Sequence, residues 1–232
     1  MSRPPDLEIR NAGVVYPTRH GPVSALDDIS CSFEAGGSTT AIVGRSGAGK
    51  STLVSVLALM RTPTTGQVFV NGVAVPTGER ARTRIRAATI GMVFQSFHLD
   101  PAATALQNVL LPWHFNPRLS RRAARAQAVE VFDRLGVAEL LHRPVSAMSG
   151  GQRQRVAIAR AMASQPRVLV ADEPTGNLDE ETGNAVAADL YALKEIGTTV
   201  IVVSHDAAVA AMADRMLHLS RGRLTVAAGG LR

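Results

Sequence analysis

A glycine-rich loop, Gly44–Thr52, constrains the fold of this chain more than any other segment. It has the pattern G-x-x-x-x-G-K-S. It lies between an apolar stretch, Thr40–Val43, and a run from Ser51 to Met60 with apolar residues at helical spacing. A strand that passes through such glycines into a helix is the setting in which backbone amides and a helix N-terminus hold phosphate. The pattern therefore predicts a phosphate-binding loop at the carboxyl end of a buried strand, within a mostly parallel α/β sheet.

The residue types in the loop predict how it holds a nucleoside triphosphate. Glycines let the backbone wrap around the phosphates, so that successive amides point inward. Lys50 is predicted to reach the β- and γ-phosphates, and the hydroxyl of Ser51 is predicted to bind Mg²⁺. The other loop residues predicted to contact the nucleotide are Gly44, Ser46, Gly47, Ala48, Gly49 and Thr52. A triphosphate with its magnesium ion is thus the expected ligand.

Polar residues follow three other predicted strands. Asp172 and Glu173 follow one, His205 follows another and Gln95 follows a third. Because ligands of parallel α/β sheets bind at the carboxyl ends of the strands, these side chains are expected to meet the phosphates. Asp172 is predicted to organise Mg²⁺ through water, and Glu173 to polarise the attacking water as a general base. His205 is predicted to contact the γ-phosphate or that water, and Gln95 to offer its amide oxygen to Mg²⁺ or water; a solvated acidic loop and a structural histidine are the alternatives.

The rest of the chain alternates between strand and helix patterns. From about residue 96 to 164 the chain is rich in Ala, Leu and Arg, and Ser120 is predicted to begin a helix that Gly136 ends. A small hairpin is predicted over 216–224. The other predicted strands cover residues 7–10, 14–16, 29–33, 66–72, 90–94, 168–171 and 199–203.

Composition and charge exclude several classes of protein. The 232 residues are 46% hydrophobic, which supports a folded core, and no apolar run approaches the ~18 residues that cross a bilayer. The N-terminus, Met1–Asp6, lacks the apolar region of a signal peptide, and the single cysteine, Cys31, agrees with a reducing compartment. The net charge of +6 comes almost entirely from scattered arginines, with only 4% aromatic residues. We therefore expect a cytosolic chain with a solvated basic surface, facing acidic lipid or a partner, rather than a nucleic-acid-binding protein.

A second element with affinity for anions lies downstream, at Ser149–Gln152. Ser149 is predicted to cap a helix that begins at Gly150 and continues through Arg160. Because Gly150 and Gly151 have no side chains, the first amides of that helix are open to an anion. One chain would then carry two phosphate-recognising elements, which predicts that each completes the site of a neighbour in a head-to-tail dimer.

Taken together, these elements resemble the nucleotide-binding subunit of an ATP-binding cassette (ABC) transporter, in the family's order and over almost the whole chain. Tyr16 is similar to the adenine-stacking aromatic, Gly44–Thr52 to the Walker A loop and Gln95 to the Q-loop glutamine. Further along, the resemblance covers the signature at Met148–Gln152, Walker B at Val168–Glu173, the D-loop at Asn177–Asp179 and the switch histidine at His205. Met148 stands where the family usually has leucine, which is a mild apolar exchange.

The resemblance implies a P-loop NTPase of the RecA-like type. Such a fold has a parallel-sheet core, an N-terminal antiparallel β subdomain and an inserted α-helical subdomain. The single domain would span 1–232, with the core and β subdomain over about 1–95 and 165–232 and the helical subdomain over about 96–164. The resemblance also implies an ATPase with ATP and Mg²⁺ as cofactors. Tyr16 would stack on adenine, with a core or turn tyrosine as the alternative, and Asp179 would contact the nucleotide.

For partners, the resemblance implies a second ATP-binding subunit and integral membrane permease subunits that hold the chain at the cytoplasmic face of the membrane. A copy of the same chain is expected as the second subunit, with a different subunit as the alternative. Three stretches, 90–97, 104–109 and 175–179, are similar to the branch of macrolide exporters, lipoprotein-release ATPases and the cell-division ATPase. Asp100 and Gln107 depart from that branch in the region that resembles a permease-docking surface, so they leave the partner open.

The main hypothesis is an ATPase that powers a permease of the export or mechanotransmission type through ATP-driven dimerisation. One alternative is a regulatory ATPase of the cell-division type, which drives a cell-wall enzyme without transport. Another is a soluble chromosome or translation ATPase, but those usually need long coiled coils or two tandem cassettes, and this chain has neither. The permease normally selects the transported substrate, so the sequence of this chain does not specify it.

Overall fold

The computed structural model describes residues 3–19, 21–115 and 120–226. Met1 and Ser2, from the N-terminal segment without a signal-peptide pattern, lie outside the described residues, as does the end of the expected 1–232 domain. Within the described part, no helix is both long enough and apolar enough to cross a membrane. The fold consists of two β-sheets with helices packed against them.

An all-β beginning is followed by alternating strands and helices. The strands are β1 (Leu7–Thr18), β2 (Gly21–Phe33), β3 (Thr39–Val43), β4 (Thr65–Val70), β5 (Val73–Ala74), β6 (Ile90–Phe94), β7 (Val168–Asp172), β8 (Thr199–Ser204), β9 (Arg215–Ser220) and β10 (Arg223–Val226). The helices are α1 (Lys50–Leu57), α2 (Glu79–Thr89), α3 (Ala105–Phe115), α4 (Arg121–Arg134), α5 (Gly150–Met162), α6 (Glu180–Ala192) and α7 (Ala207–Ala211).

The larger sheet lies at the centre of the fold, with the strand order β10-β9-β3-β8-β7-β6. Its strands pair in parallel except β10, which forms with β9 the hairpin predicted over 216–224. Every residue of β8 is buried, as are the first four residues of β7. Strands covered on both faces are continuous apolar runs, which is why their sequence pattern is clear. The predicted α/β fold with a mostly parallel sheet is confirmed.

The smaller sheet is antiparallel, in the order β2-β1-β4-β5. After β4 the chain reverses at an Asn71–Gly72 turn, where φ is +50° and +76°. Asparagine and glycine adopt such angles at little cost. Buried residues of this sheet, including Leu7 and Ile29, share one core with Leu53 of α1 and Ile42 of β3. The antiparallel sheet therefore packs against the start of the phosphate-binding segment.

The helices between residues 105 and 162 belong to a second core, in which Phe132 of α4 is fully buried. Ser120 caps α4 as predicted, since its hydroxyl accepts from the N–H of Ala123 at 3.2 Å. The helix ends two residues before Gly136, whose φ is +63°. We propose that this region, within 96–164, forms the inserted helical subdomain.

Two parts of the helix prediction differ from the structure. The helix after the glycine-rich loop ends at Leu57 rather than Met60, because Leu59 has a φ of +55° and the N–H of Met60 turns back to the carbonyl of Ser55. Met60 is 45% exposed and lies outside the core. The sequence patterns also predict no helix at α2. Its single buried side chain is an arginine, Arg82, so the segment has no apolar stripe to indicate a helix.

Candidate functional site

The parallel sheet brings the predicted site residues to one edge. β3, β8, β7 and β6 are neighbours in that order, and the register aligns their carboxyl ends to within one residue. The residues that follow these strands are, in the same order, Gly44, His205, Glu173 and Gln95. We use the name sheet-edge site for Lys50, Gln95, Asp172, Glu173 and His205.

The glycine-rich loop connects β3 to α1 in a conformation that needs glycine. Gly47 and Gly49 have φ values of +79° and +104°, which L side chains rarely adopt. A Cβ at Gly49 would lie 2.4 Å from the carbonyl oxygen of Ala25, so only glycine lets the loop pass this close to β2. α1 begins at Lys50, and its first turn carries Ser51. The loop therefore leads into a helix N-terminus, the part of a helix that attracts anions.

Not every amide of the loop points outward. The N–H of Ala48 donates to the carbonyl of Arg45 at 3.1 Å, and Ala48 is buried. Ser46, in contrast, is exposed. The Nζ of Lys50 donates to the carbonyl of Gly44 at 2.7 Å, so this side chain spans the loop from its end to its beginning.

Lys50, Glu173 and His205 form one connected group. Nζ of Lys50 lies 3.6 Å from Oε1 of Glu173, and Nδ1 of His205 lies 2.8 Å from Oε2 of Glu173. The backbone N–H of His205 donates to the same Oε2 at 3.2 Å. Glu173 has a φ of +47°, and its own N–H donates to the carbonyl of Val203 at 2.8 Å. Strained backbone of this kind persists where the surroundings over-determine it, and here the carboxylate is fixed between an ammonium group and an imidazole.

Asp172 is the half-buried carboxylate next to Glu173. Burial raises the pKa of Asp172, the charge of Glu173 raises it further and the charge of Lys50 lowers it. Within the described residues, no group of three or more His, Cys, Asp and Glu side chains is placed to hold a metal ion. Magnesium sites of nucleotide enzymes usually combine one or two carboxylates with phosphate oxygens. The carboxylate of Asp172, the hydroxyl of Ser51 and the amide oxygen of Gln95 are oxygen donors that fit such a site.

Gln95 is held by Asn177, a contact that no sequence pattern predicts. Nε2 of Gln95 donates to Oδ1 of Asn177 at 3.3 Å, and Nδ2 of Asn177 donates to the backbone carbonyl of Gln95 at 2.9 Å. Gly176 permits this approach, because a Cβ there would lie 2.7 Å from Nε2 of Gln95. Asn177 therefore joins the segment after Glu173 to the segment after β6.

Ser149–Gln152, the second element predicted to recognise phosphate, begins α5 as predicted, and we call it the helix-start site. Ser149 is exposed and caps the helix: its hydroxyl accepts from the N–H of Gln152 at 3.3 Å, and Oε1 of Gln152 accepts from the N–H of Ser149 at 3.1 Å. In the described part of the chain, no acceptor is bonded to the N–H groups of Gly150 and Gly151. These two amides are donors that a helix N-terminus leaves for an anion.

The glycines of the helix-start site also pack closely against the segment that leads into α6. A Cβ at Gly150 would lie 3.0 Å from Cδ2 of Leu178, and a Cβ at Gly151 would lie 2.4 Å from Cγ2 of Thr182. Asp179 caps α6 by accepting from the N–H of Thr182 at 2.9 Å, and hydrogen bonds from Thr182 lower the pKa of Asp179. Across the described residues, no hydrogen bond joins the helix-start site to the glycine-rich loop.

Tyr16 lies beside a cavity of about 570 Å³ that Ser51 and Thr52 also line. Its hydroxyl is 3.3 Å from Oγ1 of Thr52, so the ring adjoins the first turn of α1. The guanidinium of Arg61 covers the ring, with Cζ 4.5 Å from the ring centroid. No sequence pattern predicts this contact of Arg61, because a single arginine after a helix is usually solvated.

Asp100 and Gln107, the two departures from the resembled branch, both stabilise the segment before α3. Oε1 of Gln107 accepts from the N–H of Thr104 at 2.8 Å, and Oγ1 of Thr104 accepts from the N–H of Gln107 at 3.3 Å. These are the reciprocal bonds of a capping box, in which Gln and Glu serve equally. Oδ1 of Asp100 accepts from the N–H of Ala102 at 2.9 Å, and the N–H of Asp100 donates to the buried Asn108 at 2.8 Å.

Comparisons with known proteins agree with this geometry. The family model described as ABC transporter matches residues 26–176. The lipoprotein-releasing system ATP-binding protein LolD of Bordetella pertussis is 42% identical over 222 residues, which cover 95% of this chain and 95% of that protein. The macrolide export ATP-binding/permease protein MacB of Salmonella typhimurium is 41% identical over 219 residues, which cover 94% of this chain and 34% of that protein. The predicted branch of macrolide exporters and lipoprotein-release ATPases is therefore confirmed.

Two solved structures extend the likeness to the whole fold. The dimeric structure of MJ0796, a bacterial ABC transporter cassette, matches with a TM-score of 0.85 at 35% identity, covering 97% of this chain and 99% of that chain. A dimeric structure of the same cassette in a post-hydrolysis state, bound to ADP and Pi, matches with a TM-score of 0.84 at 34% identity over 96% and 99%. The chain therefore belongs to the ABC transporter family, as one of its ATP-binding and ATP-hydrolysing cassettes.

Proposed function

We propose that two copies of this chain close around ATP and that the dimer powers a membrane permease. The observation that carries the proposal is that no hydrogen bond within the described residues joins the two elements that the sequence predicts to recognise phosphate, the glycine-rich loop and the helix-start site. In a head-to-tail pair, the helix-start site of one copy meets the triphosphate bound at the sheet-edge site of the other. The dimeric structures of the related MJ0796 cassette support this arrangement.

ATP binding involves residues from several parts of the chain in this proposal. The triphosphate lies along the glycine-rich loop with Lys50 at its β- and γ-phosphates, and adenine stacks on Tyr16. Ser51, Gln95 and Asp172 would hold Mg²⁺, which when bound supplies positive charge against the phosphate oxygens. The open amides of the partner's helix-start site donate to the γ-phosphate.

Hydrolysis depends on the carboxylate of Glu173. As the oxygen of a water bonds to the γ-phosphorus, Glu173 accepts the proton of that water, and the bond from phosphorus to the ADP oxygen breaks. The products are ADP and inorganic phosphate. His205 keeps the carboxylate in place through the 2.8 Å contact to Oε2, while the ammonium group of Lys50 lies near Oε1. Separation of the charged products then releases the two subunits.

A permease is the membrane partner in this proposal. A relative that is 41% identical to this chain is named an ATP-binding/permease protein, and this chain covers 34% of it. A groove of about 550 Å³ is lined by Asp100, Gln107, Leu111 and Arg121, and Leu111 is 39% exposed. An apolar side chain flanked by charges of both signs suits a segment of a partner protein. Docking there would hold the chain peripherally at the cytoplasmic face of the membrane.

ATP-driven dimerisation is tested with Glu173→Gln, which keeps the size of the side chain and removes the base. With MgATP this variant should elute as a dimer in size-exclusion chromatography with light scattering. The double variant Glu173→Gln/Ser149→Arg should bind ATP equally well and remain monomeric, because an arginine at the helix start fills the place of the partner's phosphate. Glu173→Gln/Ser164→Arg is the matched control, since Ser164 is exposed beyond the other end of α5, and it should dimerise. A dimer of the Ser149→Arg double variant would contradict the head-to-tail arrangement.

Docking is tested by purifying the tagged chain from membranes and identifying the protein that accompanies it. Leu111→Glu should lose the permease while its ATP affinity stays unchanged. Ile196→Glu places the same charge at another exposed apolar residue, 45% exposed and outside the groove, and should retain the permease. Equal recovery of the permease with both variants would exclude this groove as the docking surface.

A further inference from the structure

We propose that Arg61 competes with the nucleotide base for the ring of Tyr16 and thereby lowers the affinity of the cassette for nucleotides. This inference rests on the proposed function, in which adenine stacks on Tyr16. The guanidinium of Arg61 already lies over that ring, 4.5 Å from its centroid. A flat cation over an aromatic face is bound by the electrons of the ring, and it occupies the position in which a base would stack.

The cavity beside Tyr16 is the route by which a base would reach the ring. Tyr16 and Arg61 line the same cavity as Ser51 and Thr52. The triphosphate is held at the first turn of α1, so a base attached to it approaches Tyr16 through this cavity. The ring is half-buried and packs against the core, and its hydroxyl lies 3.3 Å from Thr52. Because Arg61 both lines this cavity and lies over the ring, we place it on the path of the base.

Arg61 is free to move away, in contrast to the other arginine of the cavity. Arg82 is only 9% exposed; its guanidinium donates to the carbonyls of Leu59 and Thr77, each at 3.1 Å, and pairs with Glu79. Arg61 is exposed, and among the described residues no carboxylate lies within ion-pair distance of it. Its stacking on Tyr16 is the contact that a base displaces.

The expected effect is modest and specific to ligands with a base. An exposed cation–π contact corresponds to about a two- to five-fold change in affinity, from ~0.5–1 kcal/mol at 1.4 kcal/mol per tenfold. Removing Arg61 also removes one positive charge from the cavity, which weakens the binding of any phosphate. The ratio of the affinities for ADP and pyrophosphate separates the two effects, because pyrophosphate has no base.

The test is titration calorimetry of Arg61→Ala with ADP and with pyrophosphate, both with Mg²⁺. The ratio of ADP affinity to pyrophosphate affinity should rise about two- to five-fold over the wild type. In a Tyr16→Ala background the same substitution should leave the ratio unchanged, which is the coupling expected of two residues in direct contact. Arg10→Ala is the matched control: Arg10 stacks over Phe69 at 4.2 Å, outside the cavity, and its removal should not change the ratio.

An unchanged or lower ratio in Arg61→Ala would overturn the inference, and a lower one would mean that Arg61 supports the base. A rise that persists in the Tyr16→Ala background would also overturn it, since the ring would then play no part. Failure of the wild-type chain to bind ADP or ATP would instead contradict the proposed function, and the inference would fall with it.

Discussion

The sheet-edge site and the helix-start site both adjoin a helix N-terminus, yet they differ in charge. At the sheet edge, Lys50 and His205 lie on either side of the carboxylate of Glu173, and Asp172 is next to it, so four ionisable groups share one site. The helix-start site, Ser149–Gln152, contains no ionisable side chain, and its side-chain hydrogen bonds only close the capping box. In our proposal, the first site supplies the group that accepts a proton, whereas the second supplies only amides that bind the charge of a phosphate.

Because of this difference, the base that our proposal assigns to hydrolysis and the donors that stabilise the phosphate lie in different sites. A neutral pair of amides contributes to hydrolysis only when a phosphate lies next to it. Among the described residues, no hydrogen bond joins these amides to the glycine-rich loop of the same chain. Electrostatic stabilisation is strongest for donors that are already in place when charge develops. In our proposal, one chain therefore holds the base, and the partner chain supplies the donors that make hydrolysis fast.

The largest expected effect comes from removing the base at the sheet edge. Glu173→Gln should lower kcat by about 10²–10⁴-fold, the range typical of general bases. Its affinity for ATP should change little, because the amide keeps the size of the side chain. Phosphate release at saturating MgATP measures kcat, and titration calorimetry measures the affinity. Undiminished turnover would show that Glu173 is not the base and would remove the contrast between the two sites.

The next largest effect is expected at the helix-start site. Ser149→Arg should reduce kcat by about 10²–10³-fold, because removing donors to developing charge has costs of this size. Binding of ATP to the isolated subunit should stay within about two-fold, a free-energy change of ~0.4 kcal/mol. Equilibrium dialysis at low protein concentration checks the binding. A parallel loss of ATP affinity in the monomer would mean that the helix-start site serves its own loop.

A smaller effect is expected at Asn177, which holds Gln95 of the sheet-edge site. Asn177→Ala removes both hydrogen bonds to Gln95, and each such bond contributes about 0.5–1.5 kcal/mol. We expect kcat to fall about tenfold at unchanged KM for ATP, since Gln95 is then no longer held beside the proposed Mg²⁺ site. Asn11→Ala is the control, as it removes an exposed asparagine bonded to Asp28 in the antiparallel sheet. A matching fall in both variants would indicate a general loss of stability.

The sheet edge could be predicted from sequence because two local rules suffice. Strands buried on both faces are apolar runs, and the residue after each run lies at the carboxyl edge; Gln95, Glu173 and His205 follow in this way. The capping box at Ser149 has an equally local signal. Each of these predictions depends on neighbours in the chain.

The features that sequence patterns miss depend on distant contacts or on polar packing. α2 turns a buried arginine toward the core, so no apolar stripe marks it. Asn177 meets Gln95 across 82 residues, and Arg61 meets Tyr16 although β2, β3 and α1 lie between them in the chain. The early end of α1 follows from the positive φ of Leu59, for which leucine has no preference. Tertiary packing decides these positions, and local patterns do not record it.

The smallest expected effects concern two carboxylates, Asp172 of the sheet-edge site and Asp179 beside the helix-start site. The fold raises the pKa of Asp172 and lowers the pKa of Asp179. Burial raises the pKa of Asp172, so its ionised form costs stability above that pKa, and the cost disappears as the pH falls through it. Hydrogen bonds from Thr182 lower the pKa of Asp179. The ionised carboxylate therefore stabilises the fold above the usual aspartate pKa, and this stabilisation is lost as the pH falls through the lowered value. The two substitutions should therefore change the Tm in opposite directions.

Asp172→Asn should raise the Tm of the nucleotide-free protein at pH 7 by about 2–4 °C, and the gain should shrink in acid. Asp179→Ala should lower the Tm at pH 7, and its deficit should shrink only at a lower pH, after the Asp172→Asn gain has gone. Scanning calorimetry from pH 7 to about pH 2 follows both changes, because the deficit of Asp179→Ala shrinks only below the usual aspartate pKa. A lower Tm for Asp172→Asn would mean that attraction to Lys50 outweighs burial. The carboxylate would then stabilise the empty site, and the strain at the sheet edge would lie in the backbone of Glu173 alone.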